Sequence, residues 1–261
     1  MSKSEGRMSA FGTQLKDWRQ LRRMSQLDLA LSAEVSARHL SFLETGRARP
    51  SRDMVLRLSR ELLLPQTEIN ALLTAAGFAP AYGARDLEDA ELAPVRAAVM
   101  WMLERHAPYP AMALDRHWQL EAANAPARML LQPVGIDLGD SLLEALLHNS
   151  GLRSNILNLR EVEQLTLQRL RSELAHFGRD SVIEAHVEDL RARGAGQVPE
   201  AGPLPAMIPT RYQIGAQVLS FFSAMSQFGT VEDIALSELR IECMFPADEA
   251  TRVALIQMGA S

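Results

Sequence analysis

The apolar positions of the chain begin at helical spacing. Phe11, Leu15 and Trp18 recur every three or four residues and Leu21 extends the stripe, which predicts one amphipathic helix from about 9 to 23 with Arg19, Arg22 and Arg23 around its polar side. Ser25 can cap a second helix ending near Ala33, with Asp28 in the turn where negative charge is favoured. The segment Glu34-Val35-Ser36 has room only for a tight turn. Ser36 can then cap a third helix running to about Thr45, with Leu40 and Leu43 inward and Gly46 as its left-handed stop. Arg47-Ala48-Arg49-Pro50 reads as a basic loop. Ser51 can cap a fourth helix with Met54, Leu58 and Leu62 on one side, and a fifth runs from about Gln66 to Ala76 and ends at Gly77.

The pattern then changes. Val95, Val99 and Met102, with Trp101 and Leu103, predict a helix from Leu92 to about His106, ended by Pro108 and Pro110. Two short extended runs follow, Ala111 to Asp115 and Trp118 to Ala123, before Asn124-Ala125-Pro126 opens a helix near 127–131. Residues 140–193 keep helical periodicity through Leu142, Leu146, Val162, Leu165, Leu170 and Leu174. After a Gly/Pro-rich loop from Gly194 to Pro209, strands are predicted at Arg211 to Phe222, Met225 to Val231 and Leu236 to Phe245, with a closing helix from Glu249 to Met258. The expected fold is an all-α, five-helix N-terminal helix-turn-helix domain, in which one helix enters the major groove of DNA, plus an α+β C-terminal domain with an antiparallel sheet, the layout of a PAS-like sensor. Pro80 between Gly77 and Gly83, followed by the acidic stretch Asp86 to Glu91, places the junction. The expected domains are 1–80 and 92–261, with 81–91 as linker.

Composition sharpens the picture through its distribution. The 261 residues are 47% hydrophobic and 23% charged, as in a globular protein, and their net charge of -5 argues against DNA only until it is divided. Residues 1–80 carry 12 Lys and Arg against 8 Asp and Glu, whereas the remainder carries 15 against 24. The phosphate-seeking charge is at the front. One cysteine, Cys243, leaves no intrachain disulfide and no multi-cysteine zinc site; it reads as a buried small hydrophobe in a strand. Neither a signal-peptide pattern nor a run of about 18 apolar residues is present, so a cytoplasmic protein without membrane contact is expected. Asp115, Arg116 and His117 bring acid, cation and base together in sequence, but consecutive residues at a strand turn point apart and no activated nucleophile accompanies them. Glu238 and Glu242, at even spacing on one strand face with Arg240 between, lack the His pair that would specify a metal. The reading is a non-enzyme with no catalytic residues, no metal and no cofactor.

Two resemblances make this specific. Met24-Ser25-Gln26-Leu27-Asp28-Leu29-Ala30, then Val35-Ser36, then Leu43 through Ser51, resemble the phage-repressor-type (XRE) helix-turn-helix family. The resemblance implies that Gln26 contacts a phosphate and braces the recognition helix. It also implies that Ser36, Ala37 and Arg38 meet base edges, with Arg38 able to bond O6 and N7 of guanine, and that Arg47 and Arg49 grip phosphate. His39 either reaches a base or faces solvent and backbone, Phe42 either touches a thymine methyl or packs, and Glu44 is read as structural. Tyr109 through Trp118 with Ala123-Asn124, and the closing run Glu238 through Thr251, resemble the ligand-binding domain of MmyB-like regulators. That likeness implies a PAS-related fold able to hold a long-chain fatty acid. Met112, Leu114, Trp118, Leu120, Phe221, Phe222, Met225 and Phe228 are the candidate lining residues. The expectation is a transcription regulator, a homodimer on double-stranded DNA, whose C-terminal domain senses a small apolar effector. The rival reading is a constitutive repressor whose C-terminal domain serves only dimerisation or docking.

Overall fold

The computed structural model of the chain describes residues 3–83, 89–196, 207–228 and 233–259. Asp86 and Glu88 of the acidic stretch, the middle of the Gly194 to Pro209 loop, and Gly229, Thr230 and Val231 of a predicted strand lie outside the described residues. Those described fall into two compact units, one built on residues up to 83 with 173–179 and 233–234, the other on the remainder.

In the first unit the helices are α1 (Lys3–Leu21), α2 (Gln26–Ser32), α3 (Ala37–Glu44), α4 (Arg52–Glu61) and α5 (Gln66–Ala75). Serines start three of them. Ser25 Oγ accepts from the Asp28 amide at 3.1 Å while Asp28 accepts from the Ser25 amide at 2.9 Å, a reciprocal capping box. Ser36 and Ser51 each accept from an amide three residues on, at 3.1 Å. Glycines end α3 and α5, where Gly46 and Gly77 take φ of 71° and 90°. Phe11, Leu15, Trp18, Leu29, Leu40 and Leu43 fill the core.

Three expectations change here. Leu21, the last residue of α1, lies past the edge of this core and is exposed. Arg19 turns inward instead of lying on a polar side. On α4 the inward stripe is Val55, Leu58 and Leu62, so Met54 is only partly buried.

The remaining elements are α6 (Ala93–Arg105), β1 (Ala111–Leu114), β2 (Leu120–Ala123), α7 (Ala125–Leu131), α8 (Leu142–His148), α9 (Ser150–Asn155), α10 (Leu159–Phe177), α11 (Ser181–Ala192), β3 (Thr210–Ile214), β4 (Gln217–Gln227), α12 (Ile234–Glu238), β5 (Arg240–Pro246) and α13 (Glu249–Gly259), which make up the second unit apart from 173–177 of α10 and Ile234 of α12. The strands form one sheet in the order β2-β1-β5-β4-β3, every neighbouring pair antiparallel. The segment expected as one strand from Arg211 to Phe222 is instead a hairpin. Gly215, at φ 56°, turns the chain so that Ile214 pairs with Gln217. Met225 continues β4, and Leu236 to Glu238 are helical before β5 begins. Cys243 is in a strand as expected but only partly buried, and burial followed by the charge of Glu242 pushes its thiol pKa up.

Asn124 locks β1, β2 and α7 together. Its Oδ1 accepts from the amides of Ala111 and Ala127, both at 3.0 Å, and its Nδ2 donates to the carbonyls of Leu103 and Tyr109, both at 2.9 Å. One buried amide thereby satisfies four backbone groups that would otherwise lie unpaired out of water.

Gly12 is where α1 and α3 meet. A Cβ there would lie 2.4 Å from the Glu44 carbonyl oxygen and 2.7 Å from that of Leu43, and these backbone atoms cannot swing away. Gly12→Ala is therefore expected to destabilise the N-terminal helices by about 1–3 kcal/mol through overpacking, even though alanine is the better helix former. Denaturant unfolding followed by circular dichroism checks this; equal or greater stability in the variant would contradict the close approach.

Candidate functional site

The first candidate surface is the pair α2 and α3 with the loop after them. Glu44, at the end of α3, is held between two neighbours. Arg19 of α1 makes a paired contact through Nε at 2.6 Å and Nη2 at 2.9 Å, and Gln26 of α2 donates through Nε2 at 2.8 Å. Arg19 also donates to the Met24 carbonyl at 2.8 Å, fixing the α1–α2 connection. The ion pair is nearly closed to water, with side-chain exposures of 10% for Arg19 and 2% for Glu44. Burial pushes the Glu44 carboxyl up, but the bonds from Arg19 and Gln26 outweigh it and hold the group below its ordinary value. The same contact raises Arg19. Arg19, Gln26 and Glu44 therefore clamp three helices at one point.

On this frame Ser36 and Arg38 are exposed, while Ala37, His39 and Phe42 are half-buried. The Arg38 guanidinium lies 5.4 Å from the centre of the Phe42 ring, a cation–π contact that extends it along α3. The amides of Arg47 and Ala48 both bond the Phe42 carbonyl, at 2.8 and 3.1 Å, which folds the basic loop against the end of α3 and leaves the Arg47 and Arg49 side chains exposed. Gln26 is half-buried on Glu44, consistent with a bracing role.

The second candidate is a cavity of about 430 Å³ between the sheet and α7 to α10. Strand alternation creates it. Ala111 and Ala113 of β1 pack with Val99 and Leu103 of α6 on one face, and Met112 lines the cavity on the other. Of the candidate residues, Met112, Trp118, Phe221 and Phe222 line it, and Phe222 also stacks on Phe245. The others have different neighbours. Leu114 and Leu120 pair with each other across β1 and β2 and are filled core. Met225 meets the Arg169 guanidinium, and Phe228 packs against the α6 cluster. The sequence reading missed the helical walls, Leu130, Leu131, Leu142, Leu146 and Leu152, and the polar members Arg169, Tyr212 and Glu242. A signal existed for Arg169: it shares a helical face with Val162, Leu165 and Thr166. A second cavity of about 420 Å³ lies on the α6 side of the sheet, beside Val99, Ala113 and Leu239.

Arg116 and His117 do not diverge, contrary to expectation. Both reach Asp180, at 2.9 and 3.0 Å, and Arg116 also bonds Glu238 at 3.3 Å. Asp115 instead accepts the amides of His117 and Gln119, both at 2.8 Å, which shapes the β1–β2 turn. Glu238 and Glu242 do not share a strand face, since Glu238 ends α12 and Glu242 lies in β5. Among the described residues no group of three or more His, Cys, Asp or Glu could hold a metal ion, and no helix is long and apolar enough to cross a membrane.

A five-helix head with a capped recognition pair, joined to an α+β unit with an apolar cavity, defines a DNA-binding transcription regulator carrying a ligand-binding domain. Residues 95–258 match the family model of the MmyB-like transcription regulator ligand binding domain, and residues 10–72 match that of a helix-turn-helix domain. The chain belongs to the MmyB-like transcription regulators. No curated protein matches it.

The clamp makes a double-mutant prediction. Arg19→Met leaves Glu44 buried without its cation and is expected to cost about 3–5 kcal/mol, while adding Glu44→Leu recovers much of the loss. The sign with pH is fixed by the lowered Glu44 value: the stabilisation is complete above the ordinary carboxylate value and is lost as pH falls through the folded one. Glu44→Gln should therefore lower stability at neutral pH and flatten its decline in acid. Unfolding curves from neutral to acid pH check both; additive losses, or an unchanged acid slope, would contradict the clamp.

Proposed function

We propose that this protein is a cytoplasmic homodimeric regulator that reads a DNA operator with α3 and responds to a small apolar ligand, a fatty acid or similar molecule, held in the cavity of its second unit. The cavity carries this reading. About 430 Å³ with walls of leucine, methionine and aromatic side chains matches the size and lining of small-molecule sites. A C-terminal domain used only for dimerisation or docking would instead be expected to have a filled core. Two strands, a block of helices and three strands on one antiparallel sheet support the PAS-like description.

In the DNA head, Arg38 offers a guanidinium that can take both O6 and N7 of guanine. Ser36, Ala37 and His39 lie beside it at the entry to α3, with Phe42 on the following turn. Arg47 and Arg49 grip phosphate and position the head without reading sequence, and Gln26 adds a phosphate contact while bracing α3. Two heads on a two-fold axis meet half-sites about one helical turn, roughly 10 bp, apart. An apolar ligand changes DNA affinity only to the extent that it binds the competent and incompetent arrangements differently.

Two experiments test this. With an operator selected from randomised duplexes, Arg38→Ala should weaken operator binding by about 1–3 kcal/mol while sparing random duplex, and Arg49→Ala should weaken both and reduce the salt dependence. Equal losses on both duplexes for Arg38→Ala would overturn its base-reading role. Native mass spectrometry of full-length protein, with solvent extraction, should reveal a bound apolar molecule or, in stripped protein, saturable uptake of added fatty acid. Failure of both would favour the dimerisation-only reading.

A further inference from the structure

We propose that a second copy of this chain docks on the outward face of α6, the Trp101 of each copy entering the cavity beside the other's α6; the proposal rests on the homodimer reading above. Of the three tryptophans, Trp18 and Trp118 are buried, whereas Trp101 is 59% exposed. It belongs to a stripe of exposed residues, Pro94, Ala98, Trp101 and Arg105, spaced by three or four along the helix. Val99 and Leu103, on the opposite side of α6, pack on Ala111 and Ala113 of β1. The Arg105 guanidinium lies 5.7 Å from the centre of the Trp101 ring, so the indole and the cation form one unit. Tryptophan and arginine are the residues in which binding energy concentrates at protein interfaces, and here they stand together on a surface of small side chains.

The same helix supplies a hole for this knob. The cavity of about 420 Å³ is lined by Ala93, Ala97 and Met100 of α6 and by Ala122 and Leu138, and Ala97 and Leu138 are exposed at its rim. Trp101 stands outside it, one helical turn beyond Ala97. A surface that carries a knob and a hole side by side is self-complementary: a two-fold axis between them, with the two α6 helices antiparallel, seats each knob in the other copy's hole. Ala97 and Ala98 end at Cβ, which lets the helices come close. Charge favours the same arrangement. Antiparallel pairing about the midpoint of Ala98 and Trp101 carries each Arg105 toward the turn that opens the other α6, where Asp89 and Glu91 are exposed. Parallel pairing would instead set Arg105 beside Arg105.

The test measures self-association of full-length protein by sedimentation velocity, together with acrylamide quenching of tryptophan emission. Wild type should sediment as a dimer. Trp101→Ala should weaken the dimer about thirtyfold, the loss expected at a hot-spot residue, and Ala98→Glu, which puts a charge in the path of the incoming indole, should weaken it at least as much. Arg105→Glu should weaken it roughly fivefold, and less at high salt. Ala98→Glu keeps Trp101, so as a monomer it should be quenched more readily than the wild-type dimer. The Trp101 and Ala98 side chains are exposed in the single chain, so circular dichroism of both variants should match wild type. An unchanged dimer constant in Trp101→Ala or in Ala98→Glu, or equal quenching of the wild-type dimer and monomeric Ala98→Glu, would overturn this interface. Wild type that stays monomeric at every concentration and fills operator half-sites singly would overturn the homodimer reading itself.

Discussion

Glu44 is a carboxylate taken out of water, and the geometry of the DNA head follows from what it must bind. An unpaired buried charge is costly, so Arg19 and Gln26 have to arrive from two other helices with fixed geometry. Their arrival sets where α1 and α2 lie against α3. The absence of a side chain at Gly12 then lets α1 approach the end of α3 to backbone contact. A recognition helix is useful only if its exposed residues are held in register with the duplex, and here that rigidity comes from the clamp of Arg19, Gln26 and Glu44 and from the close approach at Gly12.

In the second unit the organising constraint is the two-residue alternation of the sheet. One face of β1 gives alanines to α6 and the other gives Met112 to the cavity; in the same register β5 places Ile241 toward α6 and Glu242 toward the cavity. A small change of side chain on one face thus affects ligand space, and on the other affects packing. Asn124 fixes the strand–helix junction at the edge of this arrangement, so the cavity walls from β1 and α7 are referenced to one buried amide.

Much of this was legible in the chain. Serine caps, glycine stops and the three-residue turn gave the head, because each acts on its own few residues. Arg19 was misplaced because a charged residue on a helix reads as solvent-facing unless its partner, 25 residues away at Glu44, is known. The hairpin at Gly215 was hidden inside a continuous β-forming run, with one glycine as its only mark. For the cavity, Met112, Trp118, Phe221 and Phe222 could be named as apolar residues in or beside predicted strands, but the leucines of α7 to α9 were indistinguishable from ordinary core. Whether a buried leucine faces another side chain or an open volume depends on tertiary packing, which no local pattern encodes.

The proposed regulation requires that occupancy of the cavity and affinity for DNA be linked. The most direct measurement is the affinity of lipid-stripped, full-length protein for its selected operator across a titration of fatty acid at fixed salt, with random duplex as control. A saturable change in operator affinity, reciprocated by a change of the same factor in fatty-acid affinity when operator is added, is the predicted result. Operator affinity that stays constant while the cavity fills would contradict it.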